Sequence, residues 1–168
     1  DALGRKVRSY KDAPSKRDGK FVAMFFWTWH QGNDDTTYRV KNITEIVRRY
    51  PEAMKDYNHP AWGSKKPGFF FWEEPLFGYY KTTDKWVLRK QAELLADAGV
   101  DAVFFDCTNG SLTWKESYEA LLQTWDEAQR DGVNVPKVAF MLNFGPFFWT
   151  RTSLHELYND LYKPGRYS

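Results

Sequence analysis

Short apolar runs alternate with amphipathic segments along most of the chain. Four of the runs predict strands that are buried on both faces, as the strands of parallel sheets are. They span residues 20–29, 77–80, 100–106 and 136–143. Between the later runs, apolar residues recur at helical spacing, as in Val87, Leu88, Leu94 and Leu95. This second pattern predicts amphipathic helices between the strands.

The ends of the predicted helices carry their own signals. Asp84 is a predicted N-cap, and Gly99 is predicted to end the same helix. Capping boxes at 113–116 and 153–156 predict the starts of two later helices. A short helix is predicted from residue 42 to about residue 54, with Pro51 marking its end or a kink.

Strands that alternate with helices indicate right-handed βαβ crossovers and a parallel sheet. The chain supplies about four such units, whereas a closed eight-stranded barrel takes about 250 residues. The alternative is an open doubly wound sheet, but residues 27–32 lack the Gly-rich turn that a nucleotide-binding sheet would carry there. We therefore predict the α/β class, with an irregular N-terminal arm over 1–19 and about half of a (β/α)8 TIM-type barrel over 20–168.

Composition narrows the possible functions. The net charge of the 168 residues is +2, which is too small to indicate nucleic acid or an acidic membrane as a partner. The longest uncharged apolar run, 21–29, is far shorter than the roughly 20 residues of a membrane span. Cys107 is the single cysteine and is predicted to be an inert core thiol. The histidines stand alone, without metal-ligand spacing, so we predict no metal and no cofactor.

Aromatic residues make up 18% of the chain, and many lie in predicted loops beside polar side chains. A sugar presents a flat C–H face edged with hydroxyls, which a ring beside a hydrogen-bonding group complements. The competing interpretation is a core that is built from large side chains. The rings concerned are Trp29, Trp62, Trp72, Tyr79, Tyr80, Phe147, Phe148 and Trp149.

Barrel enzymes carry their active sites at the C-terminal ends of the strands. That rule selects substrate-binding candidates from several strands and from the long loop: Trp29, His30, Trp72, Tyr79, Tyr80 and Asn143. The aromatic members are predicted to stack on sugar rings, and His30 and Asn143 are predicted to bind hydroxyls.

Two carboxylates are predicted to be catalytic. Asp106 ends an apolar strand, where partial desolvation raises a carboxyl pKa and suits the group to acid–base work. The competing interpretation is a structural aspartate that binds the backbone of the following loop. Glu74 lies beside Trp72 in a Pro/Gly-rich loop, and its competing interpretation is a solvated loop acid.

Residues 79–84, Tyr-Tyr-Lys-Thr-Thr-Asp, together with residues 87–106, resemble the early strands of bacterial glycoside hydrolase barrels of the endo-α-mannosidase-like superfamily. Residues 25–30, Phe-Phe-Trp-Thr-Trp-His, resemble secreted enzymes of polysaccharide-degrading bacteria. The resemblance implies hydrolysis of O-glycosidic bonds in a polysaccharide or glycan by two carboxylates, in a secreted or periplasmic protein. It also implies that the rest of the barrel, with the principal catalytic carboxylates, lies beyond Ser168. Phe144 stands where a large glycosidase group has a glutamate after the fourth-strand asparagine.

The predicted partner is a carbohydrate substrate, with no nucleic acid and no membrane span. A half barrel leaves strand edges unpaired, so we expect a homodimer or completion by the missing C-terminal half. Two alternative functions remain at this point. One is a non-catalytic carbohydrate-binding barrel without a convergent acid pair, and the other is a small α/β domain that binds another ligand.

Overall fold

The computed structural model describes residues 4, 11–12, 18–27, 43–56, 58–62, 75–78, 80–145 and 147–166. Its strands are β1 (Ala23–Phe26), β2 (Ala102–Cys107) and β3 (Lys137–Leu142). Its α-helices are α1 (Ile43–Arg49), α2 (Lys85–Asp97), α3 (Lys115–Arg130) and α4 (Phe147–Leu157). Shorter turns of helix are the 3₁₀ segments Pro51–Lys55 and Pro60–Trp62 and the π-helical segment Tyr158–Tyr162.

The strands form one parallel sheet in the order β1-β2-β3. Phe25 of β1 lies beside Phe104 of β2, which in turn lies beside Ala139 of β3. Helix α2 precedes β2 and α3 connects β2 to β3, so each crossover contains a helix. The predicted parallel sheet of βα units is confirmed.

One face of the sheet packs against the helices. Val103, Phe105 and Cys107 alternate along β2, and all three are fully buried. They share one core cluster with residues of α2, α3 and the end of the chain: Leu88, Ala92, Tyr118, Leu121, Trp125, Leu157 and Leu161. Helices on one face of a sheet whose strands follow chain order match the singly wound topology of a barrel. The fold is α/β, with parallel βα units arranged as part of a TIM-type barrel.

The other face of the sheet is open at the middle of β1 and β2 in the described part of the chain, whereas Ala102 and Asp106, on the same face of β2, are buried. Phe25 and Phe104 point to this face, because adjacent residues of a strand point to opposite sides, and they are 45% and 41% exposed. Phe105, next in sequence to Phe104, has no exposed surface. Neighbouring residues of one strand therefore lie in opposite environments.

The predicted signals at the two ends of α2 are confirmed. The Asp84 side chain accepts a hydrogen bond from the Val87 backbone N–H at 3.1 Å. At the other end Gly99 has a φ of +77°, a conformation that costs glycine little. The Val100 N–H then bonds the Leu95 carbonyl at 2.9 Å, which closes the helix end.

Both predicted capping boxes are wrong. Helix α3 begins one residue later than expected, because Thr113 is buried and Trp114 occupies the N-cap in a left-handed conformation with φ of 56°. Ser153 lies inside α4 rather than at its start, and its side chain is buried. Each motif is compatible with the start of a helix, but the helix begins at another residue in the folded chain.

The strand predicted over 77–80 is also wrong in its described residues. Leu76 and Phe77 form a turn that the Gly78 N–H closes on the Pro75 carbonyl at 2.9 Å. Strand β1 therefore pairs directly with β2. The short helix α1 ends before Pro51, as expected, and Pro51 opens a 3₁₀ segment.

A polar cluster joins α3 to the π-helical segment. Tyr118 Oη donates a hydrogen bond to Asp160 Oδ2 at 2.9 Å, and Lys115 Nζ lies 2.7 Å from the same oxygen. The hydrogen bond from Lys115 lowers the pKa of Asp160, and the bond from Tyr118 lowers it further. Burial raises the pKa of Tyr118. The cluster therefore holds a carboxylate, an ammonium and a neutral phenol at neutral pH.

The opposite environments of Phe104 and Phe105 give matched variants. We expect Phe105→Ala to lower the free energy of unfolding by about 3–5 kcal/mol, because it opens a cavity under α2 and α3. Phe104→Ala makes the same chemical change on the open face and should cost less than about 1 kcal/mol. Urea titrations followed by tryptophan fluorescence measure both values. Equal losses would contradict the assignment of the two faces.

The Asp160 cluster predicts a dependence of stability on pH. Because the pKa of Asp160 is lowered on folding from its ordinary 3.8, its contribution is present above that value and disappears as the pH falls through the folded pKa. Asp160→Asn should therefore lower the free energy of unfolding by on the order of 1 kcal/mol near neutral pH. The gap between the variant and the unsubstituted chain should close in acid. Asp97→Asn, at the exposed end of α2, is the control, and a gap that stays constant with pH would refute the assignment.

Candidate functional site

The candidate site lies where the three parallel strands end. We call this region the carboxyl edge: Trp27 after β1, residues 106–113 at the end of β2 and beyond it, and residues 143–145 after β3. The register places Cys107 beside Leu142, so Asn143 follows β3 at the same level at which Thr108 follows β2. Asp106 and Asn143 therefore come to the same edge of neighbouring strands, as the sequence predicts.

Asp106 is 2% exposed. Its Oδ1 accepts a hydrogen bond from the Thr108 backbone N–H at 2.9 Å. This is the bond expected of an aspartate that shapes the loop after its strand. The carboxylate is fixed in position at the carboxyl edge, and its catalytic role stays a prediction.

Asn143 links two loops. Its Nδ2 donates a hydrogen bond to the Gly110 carbonyl at 3.1 Å, in the loop after β2. The Thr150 hydroxyl, in the first turns of α4, lies 2.9 Å from the Asn143 carbonyl oxygen and 2.8 Å from its Oδ1. Sequence reasoning selected Asn143 for hydroxyl binding and missed Thr150, which has no motif to mark it.

Tyr80 is half-buried and lies against α2. Gln91 Nε2, in the middle of that helix, donates a hydrogen bond to Tyr80 Oη at 3.0 Å. The structure thus fixes the Tyr80 hydroxyl by a contact with the helix layer. Five other predicted site residues lie outside the described residues, and their roles stay predictions: Trp29, His30, Trp72, Glu74 and Tyr79.

Exposed aromatic rings surround the carboxyl edge. Trp27 follows β1 and is half-exposed, Phe144 follows β3 and is fully exposed, and Phe148 and Trp149 are exposed in the first turn of α4. Trp62 differs from these rings, because it is buried and its Nε1 donates to the Ala53 and Asp56 carbonyls. The carbohydrate interpretation of Trp62 is therefore wrong. Phe148 and Trp149 are exposed, so a sugar-stacking role for these two rings stays a prediction.

Gly145 lies beside both an amide and an indole. A Cβ atom at this glycine would lie 3.5 Å from Asn143 Nδ2 and 3.9 Å from Trp149 Cε3. The amide and the ring therefore lie close together next to this glycine. A polar group beside an aromatic face is the pairing that sugar recognition requires, since rings contact C–H faces and amides bind hydroxyls.

The described residues contain neither a metal-binding cluster nor a membrane-spanning helix. No group of three or more histidine, cysteine, aspartate or glutamate side chains there could hold a metal ion. None of the helices in the described ranges combines the length and the apolar character needed to cross a membrane.

Cys107 lies next to Asp106 but points to the helix side of the sheet. It is fully buried, and its Sγ lies 3.4 Å from the Thr113 carbonyl oxygen. Burial raises its pKa to about 12, and the charges of Asp106 and Glu156 add to the effect. The prediction of a buried core thiol is confirmed.

The raised pKa predicts slow alkylation. At about pH 8 the thiolate fraction of Cys107 should be about a thousandfold below that of a thiol with the ordinary pKa of 9.0. We therefore expect iodoacetamide to label the folded chain at least a thousandfold more slowly than the urea-unfolded chain, followed by intact mass. Comparable rates in the two states would contradict the buried assignment.

No family model and no curated protein match the chain. A solved structure described as the GH99 endo-alpha-mannosidase from Bacteriodes thetaiotaomicron in complex with bis-tris-propane is similar to it. The identity is 22% and the TM-score is 0.47. The match covers 87% of this chain and 38% of that one, so this chain spans well under half the length of the solved protein.

Proposed function

We propose that the chain forms one side of the carbohydrate-binding cleft of a glycoside hydrolase, and that the cleft lies at the carboxyl edge. One observation carries the proposal. The Asn143 amide and the exposed Trp149 ring lie close together beside Gly145, each within contact distance of a Cβ placed there. The proposed sugar stacks on the exposed indole and bonds the amide through a hydroxyl.

The fold supports the same location. In singly wound parallel sheets, side chains from separate strands converge where the strands end. Trp27, Asp106 and Asn143 come from the ends of three neighbouring strands and meet this condition. The resemblance of residues 79–106 to bacterial glycosidase barrels favours a glycan or polysaccharide as the substrate, in a secreted or periplasmic protein.

The proposed chemistry uses Asp106 and Glu74. One carboxylic acid protonates the glycosidic oxygen as the bond breaks, and the other carboxylate activates water or attacks the sugar carbon. The hydrogen bond from the Thr108 N–H fixes the Asp106 carboxylate at the end of β2. A fixed carboxylate loses little orientational freedom when it reacts, which favours proton transfer.

The second candidate function is carbohydrate binding without catalysis. It is favoured by the low exposure of Asp106, because a general acid must reach the glycosidic oxygen. Under this alternative, Asn143, Trp149 and the neighbouring rings bind the sugar, and Asp106 only shapes the loop after β2. The two candidates share a binding site and differ in turnover.

A glycan panel separates the two candidates. We expect the unsubstituted chain, or the longer protein that contains it, to bind and hydrolyse at least one glycan. Asp106→Asn keeps the Thr108 bond and should lower kcat by at least about a hundredfold with little change in affinity. Glu74→Gln tests the second carboxylate in the same way. Trp149→Ala should weaken binding by about two- to tenfold, since a stacked ring contributes about 0.5–1.5 kcal/mol.

Asp97→Asn, on the exposed end of α2, is the matched control for the carboxylate changes. Unchanged turnover in Asp106→Asn would remove Asp106 from the chemistry. Binding without turnover in the unsubstituted protein would favour the second candidate. Failure to bind any glycan of the panel would end both.

A further inference from the structure

We infer that Thr150 is a positioning residue: its hydroxyl holds the Asn143 amide in the orientation that the Gly110 carbonyl selects and, through that amide, ties the loop after β2 to α4. The part of this inference that concerns a ligand rests on the proposed function. The part that concerns the amide and the loop depends only on the geometry of the carboxyl edge.

The orientation of the amide follows from the groups around it. The Gly110 carbonyl can only accept a hydrogen bond, so the NH₂ end of the Asn143 side chain must face it, at 3.1 Å. Oδ1 is thereby turned toward Thr150, whose hydroxyl donates at 2.8 Å. A reversed amide would place two acceptors together at Gly110.

The hydroxyl of Thr150 also connects side chain and backbone. It lies 2.9 Å from the Asn143 backbone oxygen as well, so its one hydrogen is shared between two acceptors of the same residue. Asn143 in turn bonds a residue that is 33 positions earlier in the chain. Thr150, Asn143 and Gly110 therefore join α4, the end of β3 and the loop after β2.

The geometry also defines what remains for a ligand. Of the two Nδ2 hydrogens, one is committed to Gly110, and the other lies on a nitrogen that is 3.5 Å from a Cβ placed at Gly145. Trp149 Cε3 lies 3.9 Å from the same position, and Trp149 precedes Thr150 in sequence. Thr150 thus fixes a hydrogen-bond donor next to the exposed ring, and a preorganised donor binds more tightly than a mobile one.

The test compares Thr150→Val, which removes the hydroxyl at similar volume, with Thr150→Ser, which keeps it. The first readout is the exchange of the Asn143 side-chain amide protons with water, measured by NMR. We expect about a fivefold faster exchange in Thr150→Val, as the loss of one hydrogen bond predicts, and restoration within about twofold in Thr150→Ser. The Gln91 side-chain amide, which bonds Tyr80 in the helix layer, is the internal reference.

The second readout is affinity for a panel glycan that the unsubstituted protein binds. We expect a dissociation constant about fivefold higher in Thr150→Val and close to the original in Thr150→Ser. Equal amide exchange in all three proteins would overturn the inference, and so would an equal acceleration at Gln91, which would report general loosening. Equal affinities would overturn the ligand-positioning part. If no glycan binds, the proposed function fails, and the exchange rates still decide whether Thr150 fixes the amide.

Discussion

The burial of the helix-facing row of β2 is the constraint on which the rest of the structure depends. Val103, Phe105 and Cys107 have no exposed surface, and they lie under both α2 and α3. Because side chains alternate along a strand, fixing this row also fixes Phe104 and Asp106 on the opposite face. The position of the candidate carboxylate thus follows from the packing of its apolar neighbours.

Polar contacts complete this arrangement at the places where packing alone would leave it loose. Trp125 Nε1 donates to the Leu88 carbonyl at 2.9 Å and ties α3 to α2 inside the core. Asp160 ties the π-helical segment to α3, and Asn143 ties two loops together at the carboxyl edge. Each of these bonds joins elements that are distant in sequence. Each bond therefore fixes how helices and loops are placed relative to one another.

The sequence predicts best the part of the fold in which local pattern and packing agree. The strand over 100–106, the helix after Asp84 and its end at Gly99 are read from periodicity and capping, and burial on one face follows from the same pattern. The predicted capping boxes were wrong because the motif needs only a serine or threonine three residues before a glutamate, a spacing that also occurs inside helices. Tertiary packing determines where each helix begins. The run 77–80 failed because Pro75 and Gly78 favour a turn over a short apolar stretch.

The candidate site was predictable to a lesser degree, for a physical reason. The rule that barrel sites lie at strand ends finds Asp106 and Asn143, because each ends or follows an apolar run. It cannot find Thr150 or Gly145, because their relation to Asn143 exists only once α4 has docked.

The two faces of the sheet finally connect the fold to the proposed function. Phe104 and Asp106 lie two residues apart on the same face of β2, so an apolar surface leads directly to a polar edge. An aromatic sheet face left open to water is unfavourable, and proteins cover such surfaces with further structure or with a partner. We propose that a second copy of the chain, or further βα units, cover Phe25 and Phe104.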